Sequence, residues 1–191
     1  MAAVIVIAML VVVARIQVGY WRDSSTLFSH ALEVTENNYV AHNNLGVALT
    51  DAGDPDSAIT HYLEAIRIKP RYPEACYNLG NAYARQGKVD DAVGEYKAAL
   101  ESNPDYADAH FNLGVVLDGR GDIDGAIRQY REAISAEPDD AEAHANLAID
   151  LYTKGNHADA WKEVRLCRKY GCVPNPDFVK ALSAKMPEPK D

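Results

Sequence analysis

Asn78-Leu79-Gly80 is one of four copies: Asn44-Leu45-Gly46 precedes it, Asn112-Leu113-Gly114 follows, and Asn146-Leu147-Ala148 comes last. The copies step by 34 residues each time. A fixed period of this size means stacked supersecondary units, and it decides the fold before any local reading. With units starting at Tyr39, Pro73, Ala107 and Ala141, position 4 is His42, Cys76, His110 and His144. Position 7 is always Leu, position 8 is Gly, Gly, Gly, Ala, and position 11 is Leu49, Tyr83, Leu117 and Leu151. Spacing 4-7-8-11 is one face of a 3.6-period helix. The small residue at position 8 allows a second helix to approach closely.

Position 15 is Gly53, Gly87, Gly121 and Gly155, which predicts a left-handed helix C-cap. Asp54, Asp90 or Asp122 then suits the start of the next helix. That helix carries Ala58, Ala92, Ala126 and Ala160 at position 20, and Tyr62, Tyr96, Tyr130 and Val164 at position 24. Position 27 is Ala65, Ala99, Ala133 and Cys167. This is a small-large-small buried stripe. Pro70, Pro104 and Pro138 end the units, since proline cannot continue a helix.

These residues resemble the tetratricopeptide repeat (TPR), a 34-residue helix-turn-helix with Leu-Gly, a later Ala-x3-aromatic and a closing Pro. Units 39–72, 73–106 and 107–140 match well. Unit 141–174 diverges, with Ala148 for Gly, Val164 for the aromatic and Cys172 for Pro. The resemblance implies an all-α fold, a right-handed superhelix (α-solenoid) of helix-turn-helix repeats. It says little about function, because the fold is a generic scaffold.

Residues 1–14 are apolar on every face, and an extension through Arg15 to Trp21 reaches about 31 Å, enough to cross a bilayer core of about 30 Å. Tyr20, Trp21 and Arg22 suit an interfacial anchor. A transmembrane helix over 1–21 is the expectation, so the protein is expected in a membrane with one N-terminal span. A signal peptide ending at Val12-Val13-Ala14, or a helix buried in the stack, are the alternatives. Arg15 and Arg22 place the repeats in the cytoplasm by the charge rule. Residues 22–38 count back as a half-repeat cap, with Ser24, Phe28 and Ala31 at positions 20, 24 and 27. An apolar span running into a Trp-Arg-Asp half repeat resembles bacterial relatives of the transmembrane-and-TPR protein O-mannosyltransferases, which implies an extracytoplasmic side and a catalytic part outside this chain. At the other end, 175–186 reads as a capping helix with Phe178, Ala181 and Leu182 inward, and 187–191 as a disordered tail.

Net charge is −9, which argues against nucleic acid and against the related pentatricopeptide RNA binders. The sequence contains no nucleophile elbow, P-loop, His-Glu-x-x-His or Cys-x-x-Cys, so no catalytic role, cofactor or metal is expected. His42, His110 and His144 recur in register but on packed helices roughly 8–10 Å apart, too far for shared metal ligation, and read as core or half-core. Asp54-Pro55-Asp56 and Asp122-Ile123-Asp124 echo a calcium loop but fall where helix caps belong. A Cys167–Cys172 bridge would require an oxidising compartment; the plainer reading is small buried cysteines in place of Ala or Pro.

Positions 2, 5, 6, 9, 12 and 13 lie opposite the packed stripe and line the concave surface. Position 6 is Asn44, Asn78, Asn112 and Asn146 without exception. An amide offers both donor and acceptor, so a row of them can track a polypeptide backbone whatever its sequence. This row is similar to the inner asparagine ladder of O-GlcNAc transferase repeats, which implies substrate polypeptide as its ligand. Beside it lie Asn43, Val47, Tyr77, Asn81, Arg85, Phe111 and Val115. The alternative is that these asparagines serve contacts between repeats. Asp51, Glu74, Asp108, Asp118 and Glu142 make the face acidic, with Arg85 as its cation. That excludes the carboxylate-clamp repeats that grip chaperone C-termini with Lys and Arg. The expected function is a membrane-tethered scaffold binding an extended protein segment. A substrate-presenting domain of a glycosyltransferase and a self-assembling solenoid are the alternatives.

Overall fold

The computed structural model describes residues 23–189 together with Gly19. Among residues 23–189 the chain forms ten α-helices and no strand. They are α1 Ser24–Val34, α2 Tyr39–Asp51, α3 Pro55–Ile68, α4 Pro73–Arg85, α5 Val89–Ser102, α6 Ala107–Gly119, α7 Ile123–Ala136, α8 Ala141–Thr153, α9 His157–Lys169 and α10 Pro176–Lys185. Two compact units divide inside α4, between Ala82 and Tyr83. In the first, α1 packs on α2 and α2 on α3. In the second, α5 packs on α6, α6 on α7, α7 on α8, α8 on α9 and α9 on α10.

The turn glycines at position 15 have φ between +72° and +81°, the left-handed conformation that ends each first helix. Asp54 and Asp122 cap the next helix, accepting from Ser57 N–H at 3.2 Å and Gly125 N–H at 2.9 Å. The second repeat differs. Lys88 holds the cap position with no side-chain bond, and Asp90 moves into the first turn, where it pairs with Arg120 at 2.7 Å.

The 20-24-27 stripe is the core: Ala58, Ala92, Ala126, Ala160 and their partners at 24 and 27 are buried throughout. Position 8 faces position 24 in both units. A Cβ on Gly46 would lie 2.5 Å from the Tyr62 ring, and one on Gly114 would lie 2.7 Å from Tyr130. The fourth repeat carries Ala148 with Val164 there, so the smaller side chain leaves room for the added methyl.

At the C-terminal end, Leu182 of α10 is fully buried and Phe178 meets Tyr152 edge-on at 5.7 Å. Trp161 Nε1–H donates to the Met186 carbonyl at 2.8 Å. Glu188 pairs with Arg168 at 2.7 Å, so this part of the tail expected to be disordered lies against α9. Cys167 and Cys172 are joined by a disulfide across the turn at Gly171. The expectation of two separate small cysteines is thereby corrected: the turn folds back and brings their Cα atoms to 5.1 Å, within bridging distance.

The expected membrane location is also corrected. No helix among the described residues is long and apolar enough to cross a membrane. The helices run 10 to 14 residues, at most about 21 Å against a core of about 30 Å. The segment on which that expectation and the apolar N-terminal helix rested, 1–21, lies outside the described residues apart from Gly19.

Candidate functional site: two asparagine-lined clefts

The position-6 asparagines stand on α2, α4, α6 and α8, between the buried Leu at position 7 and the more open residue at position 9. In the first unit, Asn44 lines a cleft of about 300 Å³ with Ser24 and Phe28 of α1 and Val47, Ala48 and Asp51 of α2. Asn43 beside it is 5 % exposed. It accepts from Asn78 Nδ2 at 3.0 Å and donates to Asn44 Oδ1 at 3.4 Å. Three amides are thus linked in series across α2 and α4, and Asn43 supports the row rather than facing outward. Tyr77 and Asn81 lie half-buried on α4.

In the second unit, Asn112 and Phe111 line a cleft of about 470 Å³ with Asp108, Glu142 and the α7–α8 connection, Glu137, Asp139 and Asp140. The Phe111 ring lies 5.9 Å from Tyr130. Val115, one turn beyond Asn112, is 42 % exposed, and Ile149, at the same position 9 of the next repeat, is 41 % exposed. Asn146 is half-buried on α8. Arg85 is exposed in the last turn of α4. The structure therefore brings Asn44 and Val47 together in one cleft and Phe111 and Asn112 in another, while Asn43, Asn44 and Asn78 are bonded to one another.

The histidines at position 4 have a consistent use. His144 is buried and meets Glu163 at 2.6 Å, with its other ring nitrogen 3.1 Å from the Pro138 carbonyl. His110 meets Gln129 and the Pro104 carbonyl, both at 2.8 Å. His42 meets His61 at 3.0 Å. Each therefore joins position 4 to position 23 of its own repeat. Burial lowers the proton affinity of both His42 and His61, and each also feels nearby charge.

Sequence reasoning missed three features. Ile149 was legible as the fourth member of position 9. The acids Glu137, Asp139 and Asp140 lie in a connection, outside the helical positions that define the face. Asp150 stands at position 10, where the other repeats have Ala48, Ala82 and Val116.

A family model described as "TPR repeat" matches residues 48–87 and 120–155, and one described as "Tetratricopeptide repeat" matches 77–126. Together they span more than half of the chain.

The chain belongs to the tetratricopeptide-repeat family.

As a TPR protein it has solved relatives of the same fold. The crystal structure of MamA is 27 % identical, with TM-score 0.69, over 81 % of this chain and 86 % of that one. YrrB, described as a TPR protein with an unusual peptide-binding site, is 20 % identical, with TM-score 0.70, over 75 % of this chain and 74 % of that one. PilF of Pseudomonas aeruginosa is 19 % identical, with TM-score 0.76, over 89 % and 81 %. No curated protein matches the chain at a significant level. Proteins of this family are typically non-catalytic interaction scaffolds, and the fold is that of such a scaffold.

Proposed function

We propose that this TPR protein holds an extended segment of a partner protein on its asparagine-bearing faces. One observation carries the reading: a position-6 Asn lines a cleft in each unit, each time beside an aromatic ring and carboxylates, as Asn44 with Phe28 and Asp51, and Asn112 with Phe111 and Asp108. An amide supplies backbone hydrogen bonds, and a ring supplies apolar contact at low conformational cost. Within each unit exposed position-9 residues add apolar surface, Val47 in the first and Val115 and Ile149 in the second. The peptide-binding site attributed to YrrB supports polypeptide as the ligand class for this fold. A finer reading is that the partner is an acceptor protein presented to a glycosyltransferase; it rests on the resemblance of residues 15–38 and the repeat type to bacterial relatives of the O-mannosyltransferases.

Selection of a phage-displayed random peptide library on the full chain tests the proposal. Peptides enriched on the wild type should bind the double variant Asn112→Ala, Phe111→Ala at least tenfold more weakly, since losing one backbone bond and one ring contact amounts to about 1.4 kcal/mol or more. No enrichment, or equal affinity for both proteins, rejects it.

A further inference from the structure

The cleft of the second unit differs from the matching place in the first repeat in a way the fold does not require. Glu137 caps α7 at position 31, and Asp139 and Asp140 follow at 33 and 34; all three line the cleft. In the first repeat the same positions are Lys69, Arg71 and Tyr72. The backbone at position 31 is nevertheless the same, with φ −130° and ψ 89° at Lys69 and φ −129° and ψ 89° at Glu137. Each donates its N–H to the position-27 carbonyl, Ala65 at 2.9 Å and Ala133 at 2.8 Å. This cap therefore folds alike with either sign of charge.

What fills the place also differs. In the first repeat Lys69 Nζ stands 4.6 Å from the centre of the Tyr39 ring and 5.0 Å from that of Tyr72, so the chain supplies the cation itself. In the third repeat Ala107, Glu137 and Asp140 replace Tyr39, Lys69 and Tyr72. Two rings and an ammonium are gone, and Glu137 and Asp140 border the cleft of about 470 Å³ with Phe111 as its one ring. Some of its acids serve the helices. Asp140 Oδ1 accepts from the Glu142 and Ala143 N–H groups at 3.0 Å, and Asp108 and Glu142 sit in the first turns of α6 and α8. Glu137 does the opposite, standing at the negative end of the α7 dipole, where a cation is favoured. Among the described residues no ion pair includes any of these acids, and no Lys or Arg lines the cleft. Nor do three acids stand close enough there to hold a metal ion.

Resting on the polypeptide-holding reading above, we propose that the held segment is basic and that one of its Lys or Arg side chains enters this cleft. The alkyl stem lies against Phe111, and the charged end meets the carboxylates of Glu137 and Asp139. The partner thus brings the cation that Lys69 provides from within in the first repeat. The net charge of −9 draws such a segment toward the protein.

Two phage-displayed peptide libraries, one with Lys or Arg fixed at its centre and one with Asp or Glu fixed there, are selected on the full chain. The basic library alone should enrich. Its peptides should bind at least tenfold more weakly to the double variant Glu137→Lys, Asp139→Arg, which carries the residues of the first repeat. Their affinity for the wild type should also fall as sodium chloride rises from about 50 to about 500 mM. Enrichment of the acidic library to the same extent or more, equal binding to variant and wild type, or an affinity indifferent to salt overturns the basic partner and leaves the polypeptide-holding reading standing. No enrichment from either library rejects both. Should the double variant fail to fold, Glu137→Gln with Asp139→Asn decides by the same comparison: unchanged affinity overturns the proposal.

Discussion

The contact between His42 and His61, two ring nitrogens 3.0 Å apart, holds as a hydrogen bond when at least one ring is neutral, since an imidazolium offers no acceptor. Burial lowers the proton affinity of both rings below the ordinary 6.5. In the unfolded chain the rings protonate at about 6.5, so below that pH the unfolded state binds more protons than the native one. The stability this pair contributes is thus present above about 6.5 and lost as pH falls through the lowered native values. His61→Gln copies the third repeat, where Gln129 meets His110 at 2.8 Å. That variant should lose less Tm between pH 7.5 and 5 than the wild type, read by circular dichroism; an equal loss would place the acid sensitivity elsewhere. The position-4 histidines were legible as inward-facing from period alone. Their partners at position 23 were not, because a pairing between two helices depends on their relative rotation, which a per-helix stripe does not specify. Asp150 was illegible for a related reason: a single acid within a helix ordinarily reads as surface.

Among elements, the tightest fit lies between the first and second helix of a repeat. Gly114→Ala puts a methyl 2.7 Å from the Tyr130 ring and should cost about 1–3 kcal/mol, read as a fall in the denaturant midpoint. An unchanged midpoint would mean that the ring moves aside freely. The fourth repeat makes the reciprocal prediction. Val164→Tyr should destabilise because Ala148 already occupies the space, and Ala148→Gly in the same chain should recover most of the loss; failure to recover would break the assigned pairing of positions 8 and 24. The need for a small residue at position 8 was clear in the sequence. What it accommodates became visible with the helices in place. Cap residues were legible in part: Asp54 and Asp122 hold their helices, whereas Asp90 lies two residues past the cap position, in the first turn, and pairs with Arg120.

Across the molecule, the 34-residue step was sufficient for the helical repeat fold, since four copies of one pattern leave few other ways to bury the stripes. The site was legible as a row of residue types. Which of them line a cleft was not, because Asn43, Asn44 and Asn78 bond one another across helices whose packing only the structure reveals. The C-terminal disulfide gives a test on the whole chain. It closes a loop of about six residues, for which chain entropy allows about 2 kcal/mol. Dithiothreitol and Cys172→Ser should lower the unfolding free energy by similar amounts, since the remaining cysteine, Cys76, is buried and lies outside the bridge; no change under reduction would mean the turn is held by its packing alone. The pairing of positions 8 and 24 also bears on ancestry. If the repeats descend from one duplicated unit with glycine and tyrosine, the fourth reached alanine and valine by two substitutions whose order matters. Alanine first meets a ring with nowhere to go, whereas valine first opens a void that alanine then partly fills. Descent through the void, with the aromatic lost before the glycine, is the path on which the second step repairs the first.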